Sequence, residues 1–203
     1  LIVEDIDRLL DREIQAVTRR ARMEQAIADL LGALELDDPH TEGTPFRVAA
    51  MLTEVLAGYD EDPAEHLARV FPGPPDPGLV IVAGIRVQST CAHHLLPITG
   101  KATVAYRPEL GAPVVGLSKL ARVVTGYARR LQVQERLGWQ VVTALCERLD
   151  PVGAACIITA EHGCMSHRGV MQPGTVTTTH ALGGGWTSDH PDVLSVLGEH
   201  AAA

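Results

Sequence analysis

Two short clusters stand out for their chemistry: Cys91-Ala-His93-His94 and, well downstream, His162-Gly-Cys164. Thiolate and imidazole are both favoured zinc ligands, and a Cys and a His three apart on a bend before Pro97 can converge on one tetrahedral ion. Alone, that pair stands level with a simpler reading, a buried cysteine that happens to lie beside two histidines. The second cluster shifts the balance. It falls at the end of an expected strand over 153–160, where the chain can meet the first cluster across a sheet. Cys91, His94 and Cys164 then make three protein ligands with a fourth position open, the pattern of catalytic zinc, whereas structural zinc usually has four. His93 and His162 would flank the open position as proton carriers, because imidazole titrates near the working range. Cys146 and Cys156 fall in an expected helix and an apolar strand and read as small core residues.

The basic residues suggest what is bound. Ser118, Lys119 and Arg122 occupy the first turn of an expected helix, where cations oppose the helix dipole. Free N–H groups and two cations at the same place suit an anion. Arg168 lies four residues beyond Cys164, close to the expected metal, and Arg47 near the start of an N-terminal helix is a fourth cation. A solvated surface charge is the competing reading for each, most seriously for Arg47. Several cations near one metal favour a polyphosphate. Gln134 and Glu135 open the following helix. An amide beside a carboxylate can read the N1–H and amino group of guanine, and it can equally be a capping pair; the residues alone leave the two readings level.

The elements that must position these groups follow from periodicity. Residues 3–34 read as helix, with Ile6, Leu9, Leu10, Ile14 and Val17 at helical spacing. Pro39 to Gly43 interrupts it, and a second helix over 45–58 begins at Pro45 with Thr44 as its N-cap. The run 72–78, Pro-Gly-Pro-Pro-Asp-Pro-Gly, continues neither helix nor sheet. It separates an N-terminal helical lobe (1–71) from a main domain (79–203). There, strands are expected over 79–89 (Val80, Val82 and, after Gly84, Ile85 and Val87) and 101–106, with Ala102, Val104 and Tyr106 sharing a face. Ser118 is expected to cap a helix whose apolar face is Leu120, Val123, Val124, Tyr127 and Leu131. A second helix runs over 134–148, and strands return over 153–159 and 175–180. The result is an α+β layout in ββααββ order, an antiparallel sheet with two helices on one face. Its edges call for assembly with other copies.

Bulk properties exclude several classes. A formal charge of −8 argues against a nucleic-acid or anionic-membrane binder. Aromatics at 3 % mean that the core must be built from Val, Leu, Ile and Ala. No apolar run reaches the length of a membrane span and no basic-then-apolar leader opens the chain. Four cysteines do not make a disulfide scaffold in a chain of 203 residues, so the expected location is the cytoplasm.

Four motifs together, Cys91-Ala-His-His-Leu-Leu-Pro, Gly116-Leu-Ser-Lys-Leu-Ala-Arg122, Leu131-Gln-Val-Gln-Glu-Arg136 and Glu161-His-Gly-Cys-Met-Ser-His-Arg-Gly-Val170, resemble GTP cyclohydrolase I. The likeness spans roughly 79–182 in order and spacing; before that it is carried only by Thr44-Pro-Phe-Arg47. The resemblance implies the tunnelling fold and a homo-oligomer, a decamer of two stacked pentameric rings, with active sites between subunits. It implies conversion of GTP to 7,8-dihydroneopterin triphosphate and formate, toward folate and related pterins. It further implies Zn2+ on Cys91, His94 and Cys164, and His93 and His162 as catalytic histidines. Ser118 is implied near the ribose and triphosphate, with Lys119, Arg122, Arg168 and, less closely matched, Arg47 on the triphosphate. Gln134 and Glu135 match the guanine-reading pair.

The chain also departs from the family's pattern. Ala92 stands where the family usually has Glu, His167 where a hydrophobic residue is commoner, the segment before Arg47 is shorter, and Ala181-Leu-Gly-Gly-Gly-Trp186 differs. These departures leave two further readings beside the full enzyme. One is a specialised paralogue that uses another purine nucleotide or stops at a ring-opened stage; the other is an inactive nucleotide-binding subunit. Retention of both histidines and all three ligands speaks against the last.

Overall fold

The computed structural model describes residues 2–35 and 38–203, with side chains described from Glu13 onward. The chain forms two compact units, residues 1–55 and 56–203. The first holds helix α1 (Ile2–Ala33), a 3-10 turn (Pro39–Thr41) and helix α2 (Thr44–Val55). Within it the Arg20 guanidinium stacks over the Phe46 ring at 4.6 Å, a cation–π contact joining α1 to α2. Thr44 is the first residue of α2 rather than its cap, and the helix gives way to a 3-10 turn at Ala57–Tyr59. Of the apolar series expected on α1, the side chains of Ile6, Leu9 and Leu10 lie outside the described residues, whereas Ile14 and Val17 are exposed.

The second unit is mixed α and β. After the 3-10 segments Ala57–Tyr59 and Pro63–Ala68 come β1 (Val70–Phe71), β2 (Val80–Cys91), β3 (Pro97–Arg107), β4 (Val114–Val115) and α3 (Leu117–Ala128). Then follow β5 (Leu131–Gln132), α4 (Gln134–Leu149), β6 (Gly153–His162), the short α5 (Gly163–Ser166), β7 (Val176–Gly184) and α6 (Pro191–Ala202). Five strands form one sheet in the order β5-β2-β3-β6-β7, antiparallel except for the parallel β5-β2 pair; β1 and β4 make a separate two-stranded ribbon.

The sequence pattern of β2 changes parity at Gly84, and the structure supplies the reason. Val82 pairs with Val104 but Ile85 pairs with Ala102, so one extra residue bulges from β2. Gly84 sits there at φ +70°, a left-handed conformation that costs glycine little. Without the bulge, Ile85 and Val87 would point away from the core.

On one face of the sheet, Leu120, Val123, Val124 and Ala128 of α3 and Leu137, Val141 and Leu145 of α4 pack on Val87, Ala102, Val104, Tyr106, Cys156 and Ile158. Each fully buried Val, Leu or Ile contributes about 1.5–3 kcal/mol of transfer free energy, an upper estimate because the unfolded chain is itself partly compact. The Tyr106 hydroxyl accepts the Val115 N–H at 3.0 Å, anchoring the short β4 ahead of α3. Two expectations need correction here. Leu131 belongs to β5 rather than to the apolar face of α3, and Gly116, not Ser118, is the N-cap of that helix, leaving Ser118 inside its first turn.

The helices are not confined to one face. On the opposite side Ala105, Ala155 and Ile157 are covered by Trp186 and by Val193 and Val196 of α6. The sequence reading stopped short of this helix. Pro191 at its first position and the His190 side chain, which accepts the Asp192 N–H, start it. Asp192 in the first turn then forms a two-pronged ion pair with Arg107, Nε to Oδ2 at 2.6 Å and Nη2 to Oδ1 at 2.7 Å.

Candidate functional site

The site is assembled where β2, β5 and β6 end and β3 begins. Cys91 is the last residue of β2, and the chain turns back at once: the Cys91 N–H donates to Leu96 O at 2.8 Å and the Leu95 N–H to Cys91 O at 2.9 Å. Leu95 closes this turn at φ +56°, a sparsely populated conformation for a residue with a side chain. The turn carries His93 and His94 outward, where both are exposed. Pairing of β3 with β6 sets Ile98 opposite His162, so α5, and Cys164 on it, begins beside the β2–β3 turn. Gly163 makes the approach possible: a Cβ there would meet Pro97 Cδ and O at 3.1 Å and Leu96 Cβ at 3.3 Å.

The ligand atoms of Cys91, His94 and Cys164 consequently lie within 4.8 Å of one another. Cys91 is buried, Cys164 partly so, and His94 faces solvent. His94 Nδ1 is turned toward Cys91 Sγ at 4.0 Å. Burial, and then the neighbouring Cys91, push the Cys164 thiol above its ordinary range. Two sulfurs and an imidazole nitrogen converging on one point match the donor set that zinc prefers, with one side left open to solvent.

Parallel pairing of β5 with β2 sets Gln132 opposite Cys91, and the Ala92 N–H donates to Gln132 O at 2.9 Å. This brings the start of α4 to the same end of the sheet. His162 Nε2 meets Gln134 Oε1 at 2.8 Å, and burial lowers the pKa of His162 against the opposing pull of Glu135. The Gln134 side chain is buried, while Glu135 beside it is exposed. Arg168 reaches His94, Nη1 to Nε2 at 3.2 Å. The His93 ring stands edge-on to that of His94, with centroids 6.3 Å apart.

The structure therefore brings Cys91, His94, Cys164, Arg168, His93, His162, Gln134 and Glu135 to one place. Ser118, Lys119 and Arg122 lie on the first turns of α3, with Ser118 and Arg122 exposed and Leu120 and Val123 anchoring the opposite face of that helix. Arg47 belongs to the first unit, where its guanidinium donates to Glu42 O at 2.9 Å and to Thr44 Oγ1 at 3.1 Å. Cys156 is fully buried and its thiol is pushed up to about 12, as befits a core residue; Cys146 is partly buried. Sequence reasoning missed Thr179, which holds the Gln134 amide at 3.1 Å. Its only signal was alternation within Thr177-Thr-Thr-His180, which does not say which helix lies above it.

No helix among the described residues is long and apolar enough to cross a membrane. The family profile described as GTP cyclohydrolase I matches residues 23–200. A protein named GTP cyclohydrolase 1 from Desulforamulus reducens is 49 % identical over 166 residues, covering 80 % of this chain and 87 % of that protein. Its namesake from Bacillus subtilis is 45 % identical over 184 residues, covering 89 % and 95 % respectively. Among solved structures, the apo form of the archaeosine synthase QueF-Like matches with a TM-score of 0.43 and 17 % identity, over 55 % of this chain and 97 % of that one.

Proposed function

Because the chain belongs to the GTP cyclohydrolase I family and is an enzyme of that kind, we propose that it opens the imidazole ring of GTP hydrolytically, releases C8 as formate and recloses the product to 7,8-dihydroneopterin triphosphate. The observation that carries this reading is the convergence of Cys91, His94 and Cys164 within 4.8 Å, beside His162 and Arg168. Cys91, His94 and Cys164 would hold Zn2+, which when bound supplies Lewis acidity and an activated water near neutral pH. His162, whose pKa burial lowers against the pull of Glu135, takes up and returns protons at the purine. His93, exposed on the same turn as His94, is the second proton carrier. Glu135 accepts from the N1–H and amino group of guanine, and Gln134 acts beside it. Lys119, Arg122 and Arg168 bind the triphosphate, with Arg47 as a further cation. Ser118 serves the ribose during the later rearrangement.

The same reading assigns the chemistry to residues 79–203, as a ββααββ tunnelling fold, and a ring-shaped homo-oligomer with sites between subunits. Exposed Leu95, Val170, Met171 and Val176 close to the site are suited to burial by a neighbouring copy.

Ala92 favours a second reading, a paralogue that stops at a ring-opened stage, because the usual carboxylate beside the first ligand is missing and proton transfer there loses a participant. One assay separates the two. Zinc-loaded protein is incubated with GTP, and formate and the fluorescent oxidised pterin are both measured. Formate with pterin supports the full reaction, and formate or a ring-opened product without pterin supports the paralogue. Neither product, with GTP still bound, leaves only an inactive nucleotide-binding subunit.

A further inference from the structure

Gln134 is the first residue of α4, and it is only 2 % exposed. Its Nε2 donates to Ile158 O on β6 and Thr177 O on β7, both at 3.0 Å, and to Thr179 Oγ1 at 3.1 Å. Carbonyl oxygens only accept, so they fix which way the amide faces: nitrogen toward the two strands, oxygen toward His162. That oxygen lies 2.8 Å from His162 Nε2. An amide oxygen cannot donate, so the proton in this bond belongs to His162 Nε2. In the neutral ring Nδ1 is then left with its lone pair.

We infer that Gln134 is a positioning residue: it holds His162 in the Nε2–H tautomer and sets its ring orientation, so that Nδ1 is the atom that exchanges protons with the substrate. The inference rests on the proposed role of His162 as a proton carrier. It also moves Gln134 off the guanine edge and leaves base reading to the exposed Glu135, because both ends of the Gln134 amide are engaged inside the subunit. The residue type is demanding. Glutamate would set a carboxylate against two carbonyl oxygens, and asparagine is one methylene too short to reach from α4 to both strands and to His162 together.

Two measurements on the zinc-loaded protein test it. Solid-state 15N NMR with labelled histidine, His162 being assigned by its loss in His162→Asn, is expected to show Nε2–H in the wild type and a mixed population in Gln134→Met. In steady-state kinetics with GTP, Gln134→Met is expected to lose about 10–100-fold in kcat, the usual cost of losing a group that orients a working side chain, with KM changed by no more than about twofold. The inference is overturned if wild-type His162 carries its proton on Nδ1, or if its tautomer is the same in Gln134→Met. It is also overturned if that variant keeps kcat while KM rises and discrimination between GTP and ITP collapses, since Gln134 then reads the base. The wild-type spectrum decides even if Gln134→Met does not fold. A wild type that releases no formate from GTP sinks the proposed activity instead, and the tautomer is still read.

Discussion

Arg168 places a guanidinium nitrogen 3.2 Å from Nε2 of His94, on the side of the ring away from Cys91. Arginine can only donate, so Nε2 is the accepting nitrogen of this pair. The proton of the neutral ring then lies on Nδ1, the atom turned toward Cys91. A metal on Nδ1 would displace that proton and leave Nε2 as the N–H, so the Arg168 contact must break when the metal binds, which frees Arg168 for phosphate and separates it from the cations of α3. Arg168→Ala is expected to hold zinc at least as tightly as the wild type while raising KM for GTP. Arg122→Ala should raise KM and leave zinc affinity unchanged. Competition with a chromogenic chelator reads zinc affinity; weaker zinc binding in Arg168→Ala than in the wild type would refute the competition.

Metal loading should depend on both sulfurs. Cys91→Ala and Cys164→Ala are each expected to purify without zinc and without formate release, measured by elemental analysis alongside the turnover assay. Because burial and the neighbouring Cys91 raise the Cys164 thiol, zinc uptake must displace protons. The apparent binding enthalpy at neutral pH should therefore vary with the ionisation enthalpy of the buffer. A Cys164→Ala protein with full zinc and full turnover would end the metal assignment.

On the other face of the sheet from α3 and α4, His200 joins α6 to the strands, with Nδ1 2.8 Å from Thr103 Oγ1 and Nε2 2.8 Å from Thr159 Oγ1. Burial lowers its pKa below the ordinary 6.5, with Lys101 and His180 adding repulsion. The unfolded chain then binds the proton more readily than the folded one, so stability rises with pH across the interval between the two pKa values. The contribution is complete above about 6.5 and is lost as pH falls below it toward the folded value. A thermal melt series from about pH 7.5 to 5.5 should show a shallower fall in Tm for His200→Gln than for the wild type. Identical slopes would exclude His200 as the source.

Packing against Trp186 makes Gly153 irreplaceable. A Cβ at Gly153 would lie 2.2 Å from Trp186 Cδ1 and 2.3 Å from Cγ, and the ring is 5 % exposed with little room to withdraw. Gly153→Ala is expected to destabilise the protein by about 1–3 kcal/mol, and chemical denaturation measures this directly. If the shift in ΔG is below about 0.5 kcal/mol, within the ordinary range for surface changes, the ring is free to move.

Much of this protein was legible as a linear pattern. The alternation of Ala102, Val104 and Tyr106 and the helical spacing of Leu120, Val123 and Val124 marked the core, because burial imposes period 2 on strands and 3.6 on helices wherever one face is apolar. Cys91, His94 and Cys164 were legible for a different reason: few residue types bind zinc, so their spacing says a great deal. The bulge at Gly84 could be seen only as a change of parity, and the pairing of Val82 with Val104 and of Ile85 with Ala102 explained it. What the pattern did not contain was partnership between distant segments. It showed Gln134 and Glu135 as equivalent polar neighbours, whereas the meeting of α4 with β6 and β7 buried one among carbonyls and left the other exposed. It gave no hint that α6 returns to cover Ala105 and Ile157, or that Arg107 waits for Asp192. Local spacing decides which groups a chain can offer; only the tertiary structure decides which of them are already bonded to the protein itself.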